Sequence, residues 1–379
     1  MISIFDELNK PSNILIIGNG FDKHCGLDSN FRDYFLTTFY DNGNPNPLKI
    51  INNLWNLIFF YAFLLPNDRG GTLIKYVNNS NPLWMDVEGY INSIFMCDRG
   101  CLLIHPLYTF VDNVMRSDES ALYNDARTVS GHNWCLNGTD KEQRFNIKQR
   151  VLELREEYDY KTGIDLLFGE LRRFEKAFSN YLKEEIIKKQ IVYTREVNKF
   201  ILSYIDNFGS RQLFVFSFNY TNNLGTSVEN THLYNVHGTI DNNNIIIGIS
   251  DDDNLFSLAK KFCKGDRRVK NGNSKIQLPD NDEIREVIFY GCSFGPLDYS
   301  YYSFLFRKYG MESLKTKFVF LYSNYESDPD KNEKNRDRLI SNIENTIKRF
   351  LSDSRSQYNY QFLADNRTIV IEELESFKN

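Results

Sequence analysis

The stretch Asn13-Ile14-Leu15-Ile16-Ile17-Gly18-Asn19-Gly20-Phe21-Asp22 constrains the fold more than any other part of the chain. Four apolar residues, three of them β-branched, run straight into Gly-x-Gly. A buried parallel strand ends in this way when a tight turn and a helix follow it. The spacing of Phe31, Tyr34 and Phe35 predicts that helix from near Ser29, with one apolar face. A strand, a glycine turn and a helix form half of a nucleotide-binding unit. Glycine lets the backbone approach a pyrophosphate, and N–H groups in the turn or at the helix start can hold its charge. No third glycine completes a dinucleotide-binding spacing, and no Gly-Lys-Ser/Thr marks a P-loop. Taken by itself, the turn is equally compatible with a tight βα connection that binds nothing.

The same pattern recurs late in the chain. Strands are expected at Leu213–Asn219, Asn235–Gly238, Ile245–Ile249, Val287–Gly291, Phe318–Tyr322 and Thr368–Glu372. Between Leu48 and Asn207 the apolar residues instead keep helical spacing, over Ile50–Leu65, Val87–Phe95, Leu102–Met115 and Phe145–Ile205. The chain therefore reads as α/β: a Rossmann-like, mostly parallel sheet flanked by helices, with a large helical insertion after the first βα unit. The boundaries are 1–47 for the first part of the sheet domain, 48–207 for the insertion lobe and 208–379 for the remainder, with its C-terminal helix and strand. Strand 14–18 and strand 213–219 should then lie in one sheet.

Composition excludes several classes. With 379 residues, 30 Phe and 23 Tyr, the chain can bury a large aromatic core. A net charge of −5 argues against a basic nucleic-acid binder. The polar start from Met1 to Lys10 gives no signal peptide, and the longest apolar run, Leu57–Leu65, is too short to span a bilayer. Six scattered cysteines then read as reduced thiols of a cytoplasmic protein. Cys97, Cys101, His105, His132 and Cys135 could be drawn as a zinc site. Gly100 and Pro106 interrupt the helix it needs and no CxxC pair is present, so no metal is expected.

In open α/β sheets ligand groups gather at the carboxyl ends of the strands. Here those ends carry Gly18, Asn219, His237 and Gly291. An asparagine can orient a water or a ribose hydroxyl through its paired donor and acceptor, and a histidine can take a proton from it. The plain alternatives are a turn cap for Asn219 and a satisfied core histidine for His237. Lys260, Lys261, Lys264, Arg267, Arg268 and Lys270 form a basic run of the kind that is most often a solvated face, and Asp251–Asp253 reads as an exposed loop. Asp86 and Glu88 do not share a helix face and would serve to hold the insertion to the sheet.

Leu15–Asp22 followed by His24-x-Gly26-Leu27 resembles the opening motif of the AbiH-type bacteriophage abortive infection family. So do Trp84-x-Asp86-x-Glu88, Phe218-Asn219-Tyr220-Thr221, Val236-His237-Gly238 and Tyr290-Gly291-Cys292-Ser293-Phe294 with Asp298. The order of motifs is similar, more distantly, to sirtuin-like NAD-binding proteins. That resemblance implies an anti-phage protein, an NAD hydrolase releasing nicotinamide, with NAD as substrate rather than resident cofactor. It implies Asn219 and His237 as the catalytic pair, facing one another near Gly18 within one bridging water of a ribose. It also implies Gly18, Asn19, Gly20, Phe21, Asp22, Gly291, Ser293 and Asp298 as nucleotide-binding positions. Asp22 and Asp298 are candidates for an assisting carboxylate, each with an alternative as a helix N-cap. Expected partners are NAD or a related nucleotide, a phage-derived trigger or a defence partner protein, and further copies of the chain, with neither nucleic acid nor membrane. The sequence departs from the sirtuin pattern at Asp22, where sirtuin-like proteins have a small hydroxyl residue, and at Thr221, where sirtuins carry an acid. Cys292 takes a place where AbiH-like relatives often show His, and no cysteine quartet follows His237. The alternative is a non-catalytic nucleotide-binding sensor or toxin-like interaction module.

Overall fold

Six strands form one sheet: β1 (Ser12–Ile17), β2 (Leu213–Ser217), β3 (Thr231–Asn235), β4 (Ile284–Tyr290), β5 (Lys317–Tyr322) and β6 (Ile369–Glu373). The computed structural model describes residues 12–42, 44–60, 87–95, 106–116, 141–208, 213–222, 231–250, 257–270, 278–280, 284–323 and 329–374. Across the sheet the strands run β3-β2-β1-β4-β5-β6, and every neighbouring pair is parallel. This is the doubly wound order, in which the chain leaves β1 in one direction for β2 and β3 and in the other for β4 to β6. The strand before the glycine turn and the strand before Asn219 are direct neighbours, with Ile14 opposite Phe214 and Ile17 opposite Ser217.

Both sheet faces are covered, which is why the strands read as continuous apolar runs rather than alternating ones. Ile14, Ile16, Phe214, Phe216, Phe289 and Phe320 share one buried cluster with Phe306 of the Tyr299–Lys308 helix and Ile347 of the Pro329–Asp353 helix. Leu15, Ile17, Val215, Ile288 and Tyr290 pack on the other face with Phe21, Tyr193, Val197 and Phe200. Each such side chain contributes about 1.5–3 kcal/mol by leaving water. Aromatic pairs add to this across strands: the rings of Phe289 and Phe320 stack with centroids 4.9 Å apart, and Phe216 and Tyr234 at 5.4 Å.

The chain divides into two compact units, Met1–Ser29 with Leu182–Ile245 and Gly272–Asn379, and Asn30–Tyr181 with Ile246–Asn271. The first holds the sheet. The second is helical: Phe31–Phe39, Pro47–Ile51, Leu54–Phe59, Val87–Phe95, Pro106–Arg116, Lys141–Glu157 and the part of Gly163–Phe208 up to Tyr181. Its core is aromatic, with Trp55 stacked on Phe59 at 5.3 Å and Tyr34 edge-on to Phe174 at 5.7 Å. Asn30 caps the Phe31–Phe39 helix by accepting from Asp33 N–H, one residue beyond the expected start at Ser29. The single run expected from Ile50 is broken at Asn53, whose side chain accepts from Trp55 and Asn56 N–H and starts a new helix.

Two strand expectations require correction. The third strand is Thr231–Asn235, not Asn235–Gly238, so His237 lies in the turn beyond it. β3 is a half-exposed sheet edge and therefore lacks the apolar run by which the inner strands are recognised. Ile245–Ile249 is buried but makes no strand, only an isolated bridge from Ile249 to Cys263. The backbone groups of Ile247 and Gly248 find side chains instead of a ladder. Ile247 N–H donates to Glu175 at 2.8 Å, and its carbonyl accepts from Arg267 at 2.8 Å. Gly248 N–H donates to Glu88 at 3.0 Å, and Lys264 pairs with the same carboxylate at 2.9 Å. Lys264 and Arg267 of the basic run are thus buried ion-pair partners rather than a solvated face. Glu88 likewise ties together segments of the helical unit, while Trp84, Asp86 and Asp251–Asp253 lie outside the described residues.

Candidate functional site

The glycine turn lies where the strand order reverses, between β1 and β4. A short helix, Asn19–His24, follows it at once, a helix that the expected start near Ser29 had not placed. Gly18 N–H donates to Tyr290 carbonyl and Gly20 N–H to Gly291 carbonyl, both at 2.9 Å. Gly291 has φ +67, a left-handed conformation that favours glycine. A Cβ at Gly291 would stand 2.3 Å from Phe21 N, and one at Gly18 would stand 2.5 Å from Gly291 carbonyl oxygen. A Cβ at Gly20 would stand 2.8 Å from Gly291 Cα. The three glycines therefore let two turns at adjacent strand ends touch backbone to backbone. From the sequence alone, Gly20→Val is a substitution that should spare the fold; this packing means that it disturbs the fold as well.

Among the remaining expected nucleotide positions, Asn19 Oδ1 accepts from Ser29 Oγ at 2.5 Å. Phe21 is buried edge-on to Phe200 at 5.1 Å and to Tyr290 at 6.0 Å. Ser293 is exposed, and its carbonyl accepts from Asn342.

Asp22 is only 1% exposed. Tyr193 Oη donates to its Oδ1 at 2.6 Å, and Thr221 Oγ1 lies 3.0 Å from Oδ2 and 3.1 Å from Oδ1. Burial lifts this carboxyl to about 6, against the opposing pull of the Tyr193 and Thr221 hydroxyls. Burial and the Asp22 charge together hold the Tyr193 phenol well above its usual range. The N-cap of its helix is Gly18, so the capping role does not belong to Asp22. Tyr193 has no local sequence signal that could reveal it, since 171 positions separate it from Asp22.

Asn219 lies two residues beyond β2, which stops short of the expected strand end, and is 3% exposed; His237 follows β3 and is 4% exposed. The loops that carry them are stitched together. Asn235 Nδ2 donates to the carbonyls of Asn219 and Thr221 at 3.0 and 2.9 Å, and Val236 N–H donates to Ser217 carbonyl at 2.8 Å. The polar side-chain atoms of Asn219 and His237 are nevertheless buried without hydrogen bonds among the described residues. Asn219 stands near enough to Asp22 to favour its anion, though outside hydrogen-bond geometry. The His237 ring meets Phe218 at 5.5 Å and Tyr301 at 5.6 Å, and its Nε2 is 3.4 Å from Asp298 Oδ1. The two side chains thus sit on adjacent loops with different neighbours, and neither accepts from nor donates to the other. Neither plain alternative describes them: the Asn219 side chain caps nothing and the His237 ring is not a satisfied core group. Buried polar groups without partners are costly, and each asks for a ligand or a water to complete it.

Among the described residues no group of three or more His, Cys, Asp or Glu side chains could hold a metal ion. Cys97, Cys101, His105, His132 and Cys135 lie outside them. No helix among the described residues is long and apolar enough to cross a membrane. No curated protein and no solved structure matches the chain. The sequence model described as "Bacteriophage abortive infection AbiH" does match, over residues 14–322, a span that contains the glycine turn, Asn219, His237, Gly291 and Asp298. With most of its length and every candidate site residue inside that match, the chain belongs to the bacteriophage abortive infection family AbiH.

Proposed function

We propose that the strand-end site binds NAD and hydrolyses its N-glycosidic bond in the cytoplasm during phage infection. The observation that carries this reading is the pair of buried, unpartnered polar side chains, Asn219 and His237, at the ends of β2 and β3. They stand beside the point where the strand order reverses, the usual ligand position in such sheets. In the reaction Asn219 orients a water and His237 takes its proton as the new C–O bond forms at the ribose carbon. The C–N bond to the pyridinium ring breaks, its electron pair stays on nitrogen, and nicotinamide leaves as a neutral molecule. The enzyme then needs chiefly to place the water and to stabilise an oxocarbenium-like centre, for which Asp22 and Asp298 are the nearby carboxylates. A phage-derived trigger or defence partner, and assembly into a homo-oligomer, would switch the activity on at infection.

Incubation of the chain with NAD in phage-infected extract should release nicotinamide. Asn219→Ala or His237→Ala should each reduce the rate by on the order of 10²–10⁴. Loss of NAD in infected cells should disappear in the same variants at unchanged protein abundance. A double variant that depletes NAD at the native rate would overturn the reading.

One observation favours a second reading, a nucleotide sensor without turnover. Gly18 and Gly20 N–H groups are already bonded to strand-end carbonyls, and Asn219 and His237 make no hydrogen bond to one another. Calorimetric binding of NAD with no nicotinamide release in phage-infected extract would select this reading.

A further inference from the structure

Asp298 occupies the N-cap position of the Tyr299–Lys308 helix, yet its side chain makes no capping hydrogen bond. An aspartate at that position ordinarily accepts from one of the first helical N–H groups. Here the carboxylate is turned elsewhere, with Oδ1 3.4 Å from His237 Nε2. It retains 20% side-chain exposure while the imidazole is nearly enclosed. Phe218 and Tyr301 meet the ring at interplanar angles of 61° and 82°, so edge and face contacts limit its rotation. Among the described residues Cys292 and Tyr302 also feel Asp298, and burial raises both. Asp298 thus places a carboxylate oxygen beside the ring.

A neutral imidazole has one N–H and one bare nitrogen, and the partner of the first selects which is which. We propose that Asp298 is a positioning residue for His237: it keeps the neutral ring protonated on Nε2 and leaves Nδ1 as the nitrogen that accepts the proton. This rests on His237 acting as the base in the hydrolysis proposed above. Proton transfer from water to Nδ1 gives an imidazolium whose Nε2–H points at the carboxylate, which stabilises the new charge. At 3.4 Å the two atoms approach within ion-pair distance but without hydrogen-bond geometry, and catalytic contacts of this kind align and tighten when substrate closes the site.

The test reads the ring directly. The chain has 5 histidines, so ¹⁵N-imidazole labelling of the full protein gives a short spectrum, in which His237→Gln identifies the His237 signals. The native chain should show an exchange-protected ring proton on Nε2. Asp298→Ala should lose that protection, and Asp298→Asn, which keeps an acceptor, should retain it. A protected proton on Nδ1, or one still protected on Nε2 in folded Asp298→Ala, overturns the proposal. Should Asp298→Ala unfold, the native chain and Asp298→Asn decide it.

In nicotinamide release, Asp298→Asn should lower kcat by on the order of 10²–10⁴ with KM within about threefold. Asp298→Asn with His237→Gln should be no slower than His237→Gln alone, and additive losses would count against the proposal. If the native chain releases no nicotinamide even in phage-infected extract but the Nε2 proton depends on Asp298, the positioning stands and the hydrolase reading falls.

Discussion

Asp22→Asn removes the one buried carboxylate that the Tyr193 and Thr221 hydroxyls hold beside Asn219, and its effect on stability has a definite sign with pH. Burial raises the Asp22 carboxyl from 3.8 to about 6, so the folded protein holds this proton more tightly than the unfolded chain does. The contribution is therefore fully present below pH 3.8 and is lost as pH rises through about 6. A rise of about two units at 1.36 kcal/mol per unit is about 3 kcal/mol. Since Asp22 is 1% exposed, solvent screening does not reduce that figure. Asparagine keeps the volume and cannot titrate. The unfolding free energy of the native chain minus that of Asp22→Asn, from urea unfolding followed by circular dichroism, should fall by about 3 kcal/mol between about pH 3 and pH 7. Taking the difference removes the other carboxylates, which are common to both chains. A difference constant within about 0.5 kcal/mol over that range would refute the reasoning, because additive independent sites agree to that level.

Gly291→Ala should destabilise by at least about 2 kcal/mol in the same assay, combining the left-handed backbone penalty with forced overpacking against Phe21 N. Gly20→Val should also lower the urea midpoint, since its Cβ meets Gly291 backbone, so lost nucleotide binding in that variant would not by itself locate a phosphate. Glu175→Gln should cost about 3–5 kcal/mol, as it leaves the Arg267 guanidinium, 2.7 Å away and buried, without its counter-charge. A midpoint unchanged from the native chain would show that Arg267 finds another anion.

The inner strands and the glycine turn were legible in the sequence because they are local patterns. Ile14–Ile17 and Leu213–Ser217 are buried on both faces, and residues buried on both faces make an unbroken apolar run. The order of those runs carried the parallel sheet, and the motifs at their ends carried the family resemblance. Thr231–Asn235 escaped because an edge strand is half in water and has no such run. Ile245–Ile249 misled for the opposite reason: it is apolar and buried, but its backbone is satisfied by Glu175, Glu88 and Arg267. Tyr193 could not be linked to Asp22, nor Asp298 to His237, from any spacing in the chain. Apolar periodicity, set over a few residues, determined which segments became strands and helices. Only the tertiary structure decided which polar groups found partners and which, like Asn219 and His237, were buried without one, because a hydrogen-bond partner is chosen by distance in space and not by position along the chain.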